Sequence, residues 1–351
     1  MSGIFFDARY IRPTFHDGIS RFSANLCAAL AAREEITAII SDEAQLRQLP
    51  AGIKWVKINS PTSASEPFAA LRLNRHKPSV VFSPMQTIGS LGRRFKLVLT
   101  IHDLIYYRHP QPPANLSPLV RAGWRLFHLT FAFERLLLAG CEAVVAVSKT
   151  TAAEILANKL TKKPITVVYN APERGWFEPN RESVQKTLVY MGTFMPYKNV
   201  ETLIRGVALL SGFKLELLSR ISASRRAELE KLAAEVGADV IFRNGVTDEE
   251  YLTALDRATA LVSASLDEGF GIPVVEALEH GVPVAISDIA IFHEIAGEAG
   301  LYFDPRSPDG FAAAISQLVN SPKPANELQK RAATFNWDSS AESLLGLLKT
   351  L

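Results

Sequence analysis

The chain has 351 residues, 48% of them hydrophobic, and its 38 Lys and Arg against 36 Asp and Glu leave a net charge of +2. This length and composition indicate a soluble globular protein with room for two cores. The lack of a zinc-finger spacing, a ribonucleoprotein motif or a dense basic tract excludes a nucleic-acid partner. Cys27 and Cys141 are too few and too far apart for a disulfide framework or a zinc site, so both are expected in the core.

Localisation and partners are indicated by apolar runs and by charge. No uninterrupted run of 18 apolar residues occurs, and the start MSGIFFDARY lacks the basic-then-apolar order of a signal peptide, so we expect a cytoplasmic protein. Residues 1–175 hold 22 Lys and Arg and 12 Asp and Glu, hence +10, whereas residues 176–351 hold 16 and 24, hence −8. This shift predicts two domains with different partners, the basic one suited to an anionic lipid or a phosphorylated acceptor.

Apolar runs alternate with helical patterns along most of the chain. In the first half we predict strands at 4–6, 36–40, 80–82, 97–101, 143–147 and 165–168, with helices at 18–33, at about 116–139 and from 148. In the second half we predict strands at 187–191, 214–218, 240–242, 260–263, 284–286 and 301–303, with helices from 199, 223, 248 and 272 and only helices after 307. This order predicts parallel sheets covered by helices on both faces.

Two such sheets, joined through a polar stretch at 170–186, predict an α/β protein with two Rossmann-like, doubly wound domains that face a central cleft. We place the first domain at 1–175, the second at 176–335 and a final helix at 336–351. Ligands of open parallel sheets bind at the carboxyl ends of the strands, so the active site is expected in the cleft.

The segment 263–283, SASLDEGFGIPVVEALEHGVP, carries the strongest signal. It predicts a strand, a glycine turn and a helix, with Glu268 at the strand exit and Glu276 inside the helix. A helical rise of about 1.5 Å per residue separates these carboxylates by roughly 10 Å, too far to share a proton. The glycines expose the first helical N–H groups, which suit a phosphate or a polyhydroxylated ring. The pair is therefore better placed to hold two parts of one elongated ligand.

This segment resembles the signature of the retaining glycosyltransferases of family 4, which have the GT-B fold. The resemblance implies that Glu268 and the backbone of the glycine turn face the donor sugar and diphosphate. It also implies that Glu276 binds the ribose and that the final helix crosses back to the first domain. The donor-binding candidates of this segment are Gly269, Phe270, Gly271, Ile272 and Glu276.

The run GTFMPYKNVETL places Lys198 just before a predicted helix, where a cation suits a diphosphate leaving group. The resembling family has an Arg and a Lys in this region. This chain keeps Lys198 but has Thr193 and Tyr197 where relatives often have Arg. Arg220, at the exit of the next strand, is our candidate for the missing cation. Lys198, Thr193 and Arg220 therefore join the expected donor site.

The loop that follows the strand at 240–242 starts with Asn244, and in the resembling family this loop lies near the nucleotide base. Thr247 and Glu250 predict a capping box for the next helix. Asn244 is therefore a donor-binding candidate through its main chain.

In the first domain, Gly18 and Arg21 resemble a Gly-x-Gly-Arg-Tyr segment of the family, with Ser20 in place of its second glycine. Gly18 would let the backbone approach the donor phosphate, and Arg21 would contact the acceptor. His102 and Asp103 end a strong strand, where the matching family His lies beside the donor sugar. Asp103 would orient that His, contact the acceptor or cap the next element.

The predicted helix near 116–139 combines Arg121, Arg125 and Arg135 with Trp124 and several phenylalanines. Two interpretations stay open. One is a helix that lies on an anionic membrane surface and presents a lipid-linked acceptor, and the other is a core helix with basic ends.

Together these features predict a retaining glycosyltransferase of a mannosyltransferase-like subgroup, with His102, Lys198 and Glu268 catalytic. We expect it to move mannose from GDP-mannose to a glycan or lipid-linked acceptor. No Asp-x-Asp occurs, so no metal and no cofactor besides the donor is expected. The alternatives are a sugar-nucleotide epimerase of the same fold and a non-catalytic subunit that binds nucleotide sugars. A nicotinamide oxidoreductase fits the strand and helix alternation but needs a Gly-x-Gly-x-x-Gly turn that the chain lacks.

Overall fold

A computed structural model of the protein describes residues 3–14, 18–112, 117–173, 181 and 184–351. By the density of its contacts the chain divides into two compact units. One consists of Met1–Ala171 and Asn336–Leu351, and the other of Pro172–Phe335. The domain boundary that we expected at 175 and the first residue of the helix predicted from 116 lie outside the described residues.

The first unit is built on a sheet of seven parallel strands in the order β3-β2-β1-β4-β5-β6-β7. These are Ile4–Asp7, Ile36–Ile40, Lys54–Lys57, Val80–Ser83, Lys96–Ile101, Ala143–Ala146 and Ile165–Val167, numbered β1 to β7. The prediction missed β3, because its sequence KWVK is polar and largely exposed at the sheet edge. The interior strands β4 and β6 are fully buried, as their continuous apolar runs predicted.

The described residues of the first unit that precede the second unit form six α-helices. They are Gly18–Ala31, Ala69–Leu73, Ile105–Arg108, Pro118–Phe127, Ala132–Ala139 and Lys149–Ala157, numbered α1 to α6. Cys27 on α1 and Cys141 after α5 are buried free thiols, which confirms the prediction for both.

The single helix predicted over 116–139 is wrong, because the segment forms the two helices α4 and α5. Near the end of α4, the His128 ring nitrogen Nδ1 lies 2.8 Å from the Trp124 carbonyl oxygen, one helical turn back. Thr130 Oγ1 then accepts a hydrogen bond from the Ala132 N–H at 3.3 Å, at the start of α5. Such bonds between polar side chains and the local backbone compete with helix continuation, which explains the break.

The inner face of α5 carries a buried carboxyl group. Glu134 is 1% exposed, and its Oε2 accepts a hydrogen bond of 3.2 Å from the Tyr107 hydroxyl. Its other oxygen, Oε1, has no hydrogen-bond partner among the described residues. Burial raises the pKa of Glu134 to about 7, and the hydrogen bond from Tyr107 opposes that rise only in part.

Glu134 should therefore make the free energy of unfolding depend on pH. Because its folded pKa lies above the ordinary value of 4.5, its stabilising contribution is present below about pH 4.5 and is lost as pH rises through 7. We expect Glu134→Gln to raise the free energy of unfolding by about 2 kcal/mol at pH 8 and to change it little at pH 4.5. Urea denaturation at both pH values measures this, with the exposed Glu298→Gln as control. A stability gain that is equal at both pH values would contradict the assignment.

The second unit is built on six parallel strands in the order β10-β9-β8-β11-β12-β13. The strands are Thr187–Tyr190, Lys214–Leu217, Val240–Phe242, Ala260–Ser263, Val284–Ser287 and Gly300–Phe303, numbered β8 to β13. The helices are Val200–Val207, Ala223–Val236, Asp248–Arg257, Ile272–Glu279, Ala290–Ala296, Pro308–Asn320 and Ala325–Ala332, numbered α7 to α13. The predicted capping box of Thr247 and Glu250 at the start of α9 is confirmed.

The last helix, α14 at Trp337–Thr350, belongs to the first unit and packs on α1. Arg33 Nη2 lies 2.9 Å from Asp338 Oδ1, and Lys349 Nζ lies 2.8 Å from Glu34 Oε2. Ser340 Oγ also donates to the Tyr169 carbonyl at 2.7 Å. Throughout the described ranges, α14 included, the helices are too short or too polar to cross a membrane.

Candidate active site

The candidate site lies where the strand order of the second sheet reverses. From β8 the chain moves outward to β9 and β10, and it then returns to β11 on the other side of β8. The loops after β8 and β11 therefore start side by side, at the carboxyl edge of two neighbouring strands. In open parallel sheets this is where the ligand crevice forms.

Lys198 and Glu268 meet at this edge, although 70 residues separate them. Lys198 Nζ lies 2.5 Å from Glu268 Oε1, and the two side chains are only 13% and 14% exposed. The Lys198 ammonium also lies 5.3 Å from the centre of the Tyr197 ring. A charge-assisted contact of this length fixes both side chains in a partly desolvated site.

Hydrogen bonds around the pair hold the two loops together. Ser265 Oγ donates to Glu268 Oε1 at 2.9 Å, and the hydroxyls of Ser263 and Ser265 are 3.0 Å apart. The Leu266 N–H donates to the Tyr197 carbonyl at 2.7 Å, which joins the loops through their backbones. These contacts position Glu268 before any ligand arrives.

The turn after Glu268 brings the backbone close to the start of α10. Gly271 is the residue before α10 and has a φ of +95°, a conformation that L side chains rarely adopt. A Cβ at Gly271 would lie 2.9 Å from Cε1 of the buried Phe292. Phe270 is buried and packs edge-on against Phe335 with ring centres 5.6 Å apart. Phe270 is thus a structural anchor of the turn, and the N–H groups of α10 begin directly after Gly271.

Glu276 lies in the second turn of α10, which begins at Ile272 and carries Pro273 in its first turn. Glu276 is half-buried and forms interactions within the described structure. Glu268 lies after β11, the turn at Gly271 follows, and Glu276 lies in α10, in the order that the sequence predicted.

The remaining donor-site candidates lie on the loops after β8, β9 and β10. Tyr190 OH donates to the Thr193 carbonyl at 2.6 Å, and burial together with the charge of Glu268 raises the pKa of Tyr190 well above 10.

Asn244 Oδ1 accepts from the Ile221 N–H at 3.2 Å, which ties the loops after β9 and β10 to each other. Arg220 is exposed, and its Cγ would lie 2.7 Å from a Cβ on Gly245. Arg220 therefore packs over the glycine that follows Asn244.

In the first unit, the His102 ring is fixed at the carboxyl end of β5. Its Nε2 lies 2.7 Å from the Pro84 carbonyl oxygen. A carbonyl only accepts, so Nε2 carries the proton of this bond. The ring of buried Phe22 packs edge-on against His102 with centres 5.1 Å apart. Asp103 Oδ1 accepts from the N–H of Ile105, the first residue of α3, at 3.0 Å, while Leu104 occupies the N-cap position of that helix.

Gly18 is the first residue of α1, which begins where the sequence predicted a helix at 18–33. Ser20 is buried, and its Oγ accepts from the Arg12 N–H at 2.9 Å. The serine at this position therefore joins the preceding loop to α1. Arg21 is half-buried on the same helix.

Several residues with a clear role were not predicted. Ser263 and Ser265 support Glu268, and their position at the exit of a buried strand is a sequence signal that could have identified them.

At the end of β1, Arg9 Nε lies 2.8 Å from Asp7 Oδ1, and Arg9 Nη1 lies 2.7 Å from Glu66 Oε2. Burial alone would lower the pKa of Arg9, but Asp7 and Glu66 raise it. Arg9 is thus a fully paired structural cation rather than a binding group.

Metal ligands are not grouped in the described parts of the chain. Among those residues, no three or more His, Cys, Asp or Glu side chains are arranged to hold a metal ion.

Comparison with known proteins gives matches over both units. Residues 16–172 match the family model Glycosyltransferase Family 4, and residues 175–335 match the model Glycosyl transferases group 1. The O-antigen chain mannosyltransferase RfbU of Salmonella typhimurium is 25% identical over 244 residues, which cover 69% of this chain and 66% of that protein. The MMP alpha-(1->4)-mannosyltransferase of Mycolicibacterium hassiacum is 27% identical over 273 residues, which cover 72% and 64%.

The chain thus spans just under two thirds of the length of these two relatives. Anabaena Alr3699/HepE, solved in complex with UDP and glucose, is 17% identical with a TM-score of 0.73 over 100% of both chains. At this identity the likeness shows the fold alone.

Proposed function

Because the chain belongs to the family 4, group 1 glycosyltransferases, as the segment 263–283 predicted, we propose that it is a retaining hexosyltransferase. The predicted GT-B fold, with one sheet of parallel strands in each unit, is confirmed as well. The observation that supports the site is the pairing of Lys198 with Glu268 where the strand order reverses, beside the start of α10. That arrangement combines a cation, a carboxylate and helix N–H groups at one edge of the sheet.

The donor in this proposal is a nucleoside diphosphate hexose, with GDP-mannose as our first choice. The two mannosyltransferase relatives support mannose, whereas the fold neighbour was solved with UDP and glucose. The acceptor is a hydroxyl of a glycan or of a lipid-linked glycan, in the synthesis of a cell-surface polysaccharide or glycolipid. A lipid-linked acceptor would hold the protein as a peripheral protein at the cytoplasmic face of a membrane.

Lys198 and the start of α10 would stabilise the leaving diphosphate. An ammonium has three N–H donors, and in the described structure Glu268 takes one of them, so the others can bind a phosphate oxygen. The first N–H groups of α10 lack helical acceptors, and their positive partial charge favours an anion. The cation and the helix start would thus act on the same developing charge.

Transfer with retention requires the acceptor oxygen to approach the sugar from the side that the diphosphate leaves. The bond from the anomeric carbon to the phosphate oxygen breaks, and the bond to the acceptor oxygen forms on the same face. The departing phosphate oxygen takes the acceptor proton, so the mechanism needs no strong protein base. Glu268 would hold sugar hydroxyls, and Arg220, Thr193 and Asn244 would line the path of the nucleotide.

The roles of the first unit stay predictions. His102 would contact the donor sugar, and its ring is already oriented by the Pro84 carbonyl. Gly18 would lie near the phosphate, while Arg21 and Asp103 would contact the acceptor.

Isothermal titration with GDP, UDP and ADP and with their hexose derivatives tests the proposal, followed by donor hydrolysis with each sugar. We expect one base and one sugar to bind clearly better and the same pair to be hydrolysed slowly without acceptor. Binding without any turnover would favour a non-catalytic subunit. Conversion of the donor to its isomer would favour an epimerase. No binding in the nanomolar to millimolar range to any of them would overturn the proposal.

Glu276→Ala should weaken nucleotide binding about tenfold, because a carboxylate that accepts from two ribose hydroxyls is lost. Turnover at saturating donor should change less. Titration with the preferred nucleotide diphosphate measures the effect, and Glu327→Ala, an exposed glutamate on α13, is the matched control. Unchanged affinity for the nucleotide would remove Glu276 from the site.

A further inference from the structure

The helices α4 and α5 and the turn 128–131 that joins them are named the hairpin. This segment exposes an unusual amount of apolar surface. Leu119 is 84% exposed, and Leu129 and Leu136 are each 72% exposed. Three further large side chains of this segment are also exposed, namely Val120, Leu126 and Phe133. Single exposed leucines are normal in soluble proteins, but six large apolar side chains within 24 consecutive residues form a patch that needs a partner.

The exposed side of each helix is mostly apolar. On α4, Leu119 and Leu126 are two turns apart on the exposed side, with Ala122 and Gly123 exposed between them. On α5, Phe133 and Leu136 lie on the exposed side, while Glu134 and Leu138 are buried. A surface helix of a globular protein normally turns its polar side to water, so large apolar side chains exposed on both helices are unusual.

The charge of the hairpin is positive. Between 117 and 140 the chain has Arg121, Arg125 and Arg135, and its one acidic residue is Glu134. Glu134 is buried inside the unit, and burial raises its pKa to about 7. The exposed arginines Arg125 and Arg135 are therefore the charges that this surface presents beside its leucines.

A second basic segment is attached to the hairpin. Arg135 Nη2 donates to the Asn158 carbonyl at 2.9 Å, and Arg135 Nε donates to the Lys159 carbonyl at 3.3 Å. These bonds hold the loop 158–163, sequence NKLTKK, against α5. Lys159, Lys162 and Lys163 are exposed, and Leu156 just before them is 61% exposed.

We propose that the α4–α5 hairpin and the adjoining loop 158–163 form a docking surface for a lipid bilayer that contains anionic phospholipid. Exposed leucines flanked by arginines and lysines are the arrangement of segments that lie in the bilayer interface. The leucines enter the boundary of the acyl chains, and the cations bind the phosphates of the headgroups. The helices have 10 and 8 residues, too short to span a bilayer, so the hairpin lies along the surface.

This docking surface is independent of the sugar that the protein transfers. Vesicle binding can be measured without donor or acceptor, so a failed donor assay would leave the proposal standing. Conversely, a protein that transfers sugar and ignores vesicles would refute the docking surface alone.

The test is flotation of the full chain with vesicles of phosphatidylcholine alone and of phosphatidylcholine with 30 mol% phosphatidylglycerol, an amount of roughly one charged lipid in three. We expect binding to the anionic vesicles at least about tenfold tighter than to the neutral ones. Binding to the anionic vesicles should fall as salt concentration rises, because salt screens the charges.

Two pairs of variants separate the apolar and the charged contributions. Leu126→Ser with Leu136→Ser should weaken binding at least about tenfold, and so should Arg125→Glu with Lys162→Glu, since each cation near an anionic surface is worth about fivefold. The matched controls lie in the second unit, at exposed apolar and basic residues. They are Leu209→Ser with Val319→Ser and Lys323→Glu with Lys330→Glu. All substituted residues are exposed, so thermal unfolding should stay unchanged.

Three results would overturn the proposal. One is equal binding of the unmodified protein to neutral and anionic vesicles. Another is an equal loss of binding in the hairpin variants and in the controls of the second unit. The third is dimerisation that depends on Leu126 and Leu136 in size-exclusion chromatography without vesicle binding, which would assign the surface to a second copy of the chain.

Discussion

Lys198→Ala is expected to lower kcat by about 10²–10³-fold, the usual effect of removing one preorganised group that stabilises developing charge. The Lys198 side chain lies 2.5 Å from Glu268 and is largely desolvated. In the variant, water would therefore be a poor substitute for the positive charge of the ammonium group. The affinity for donor should change less than kcat, because the charge on the diphosphate is greatest as the bond to the sugar breaks. Steady-state kinetics with the preferred donor measure both quantities.

The matched control is Lys231→Ala, a lysine of α8 with a side chain that is 79% exposed. It should leave kcat within about twofold. A Lys198→Ala protein that is folded and retains full kcat would refute the role of Lys198 as the diphosphate cation.

A double-mutant cycle with Glu268→Gln tests whether the pair acts as a unit. Removal of either partner leaves the other charge partly buried without its counter-charge, so each single variant should be strongly impaired. The double variant should then be little worse than the worse single variant. Fully additive effects on log kcat would show that Lys198 and Glu268 act separately.

Gly271→Ala should destabilise the protein by about 2–4 kcal/mol and abolish measurable nucleotide binding. Part of the cost is the backbone conformation at φ +95°, and the rest is the collision of the new methyl group with Phe292 at 2.9 Å. Relief of that collision would move the start of α10, and with it the N–H groups proposed to face the diphosphate. Urea denaturation and nucleotide titration are the measurements.

Gly237→Ala separates the two costs. Gly237 has a φ of +71°, but nothing lies within 4 Å of a Cβ at that position. Gly237→Ala should lower the free energy of unfolding by about 1 kcal/mol, through the backbone conformation alone, and leave nucleotide binding intact. Equal effects of the two substitutions on binding would show that packing against Phe292 does not set the geometry of the turn.

Much of the second unit could be predicted because its signals are local. The strand, glycine turn and helix at 263–283 appear as β11, the turn at Gly271 and α10. The capping box at Thr247 was predicted from two residues three positions apart and is present. In each case the pattern lies in one short continuous stretch of sequence, the range over which periodicity and capping act.

The first unit was predicted less completely, because tertiary context decided its irregular parts. The edge strand β3 carries a lysine at each end and lacks the apolar run of its buried neighbours. The break between α4 and α5 depends on how His128 and Thr130 bond to nearby backbone, which an apolar pattern does not report. The sequence left two interpretations of this segment open, and only the exposure of Leu119, Leu129 and Leu136 favours the membrane surface.

The amino-acid sequence by itself determined the family, the alternation of strands and helices, and the candidates Lys198, Glu268 and Glu276. The tertiary structure decided that Lys198 and Glu268 touch, that Ser263 and Ser265 support them, and that the leucines of the hairpin face outward. The reason is physical. Local patterns report which element a residue belongs to, whereas a contact across 70 residues depends on the sheet order that places β8 beside β11.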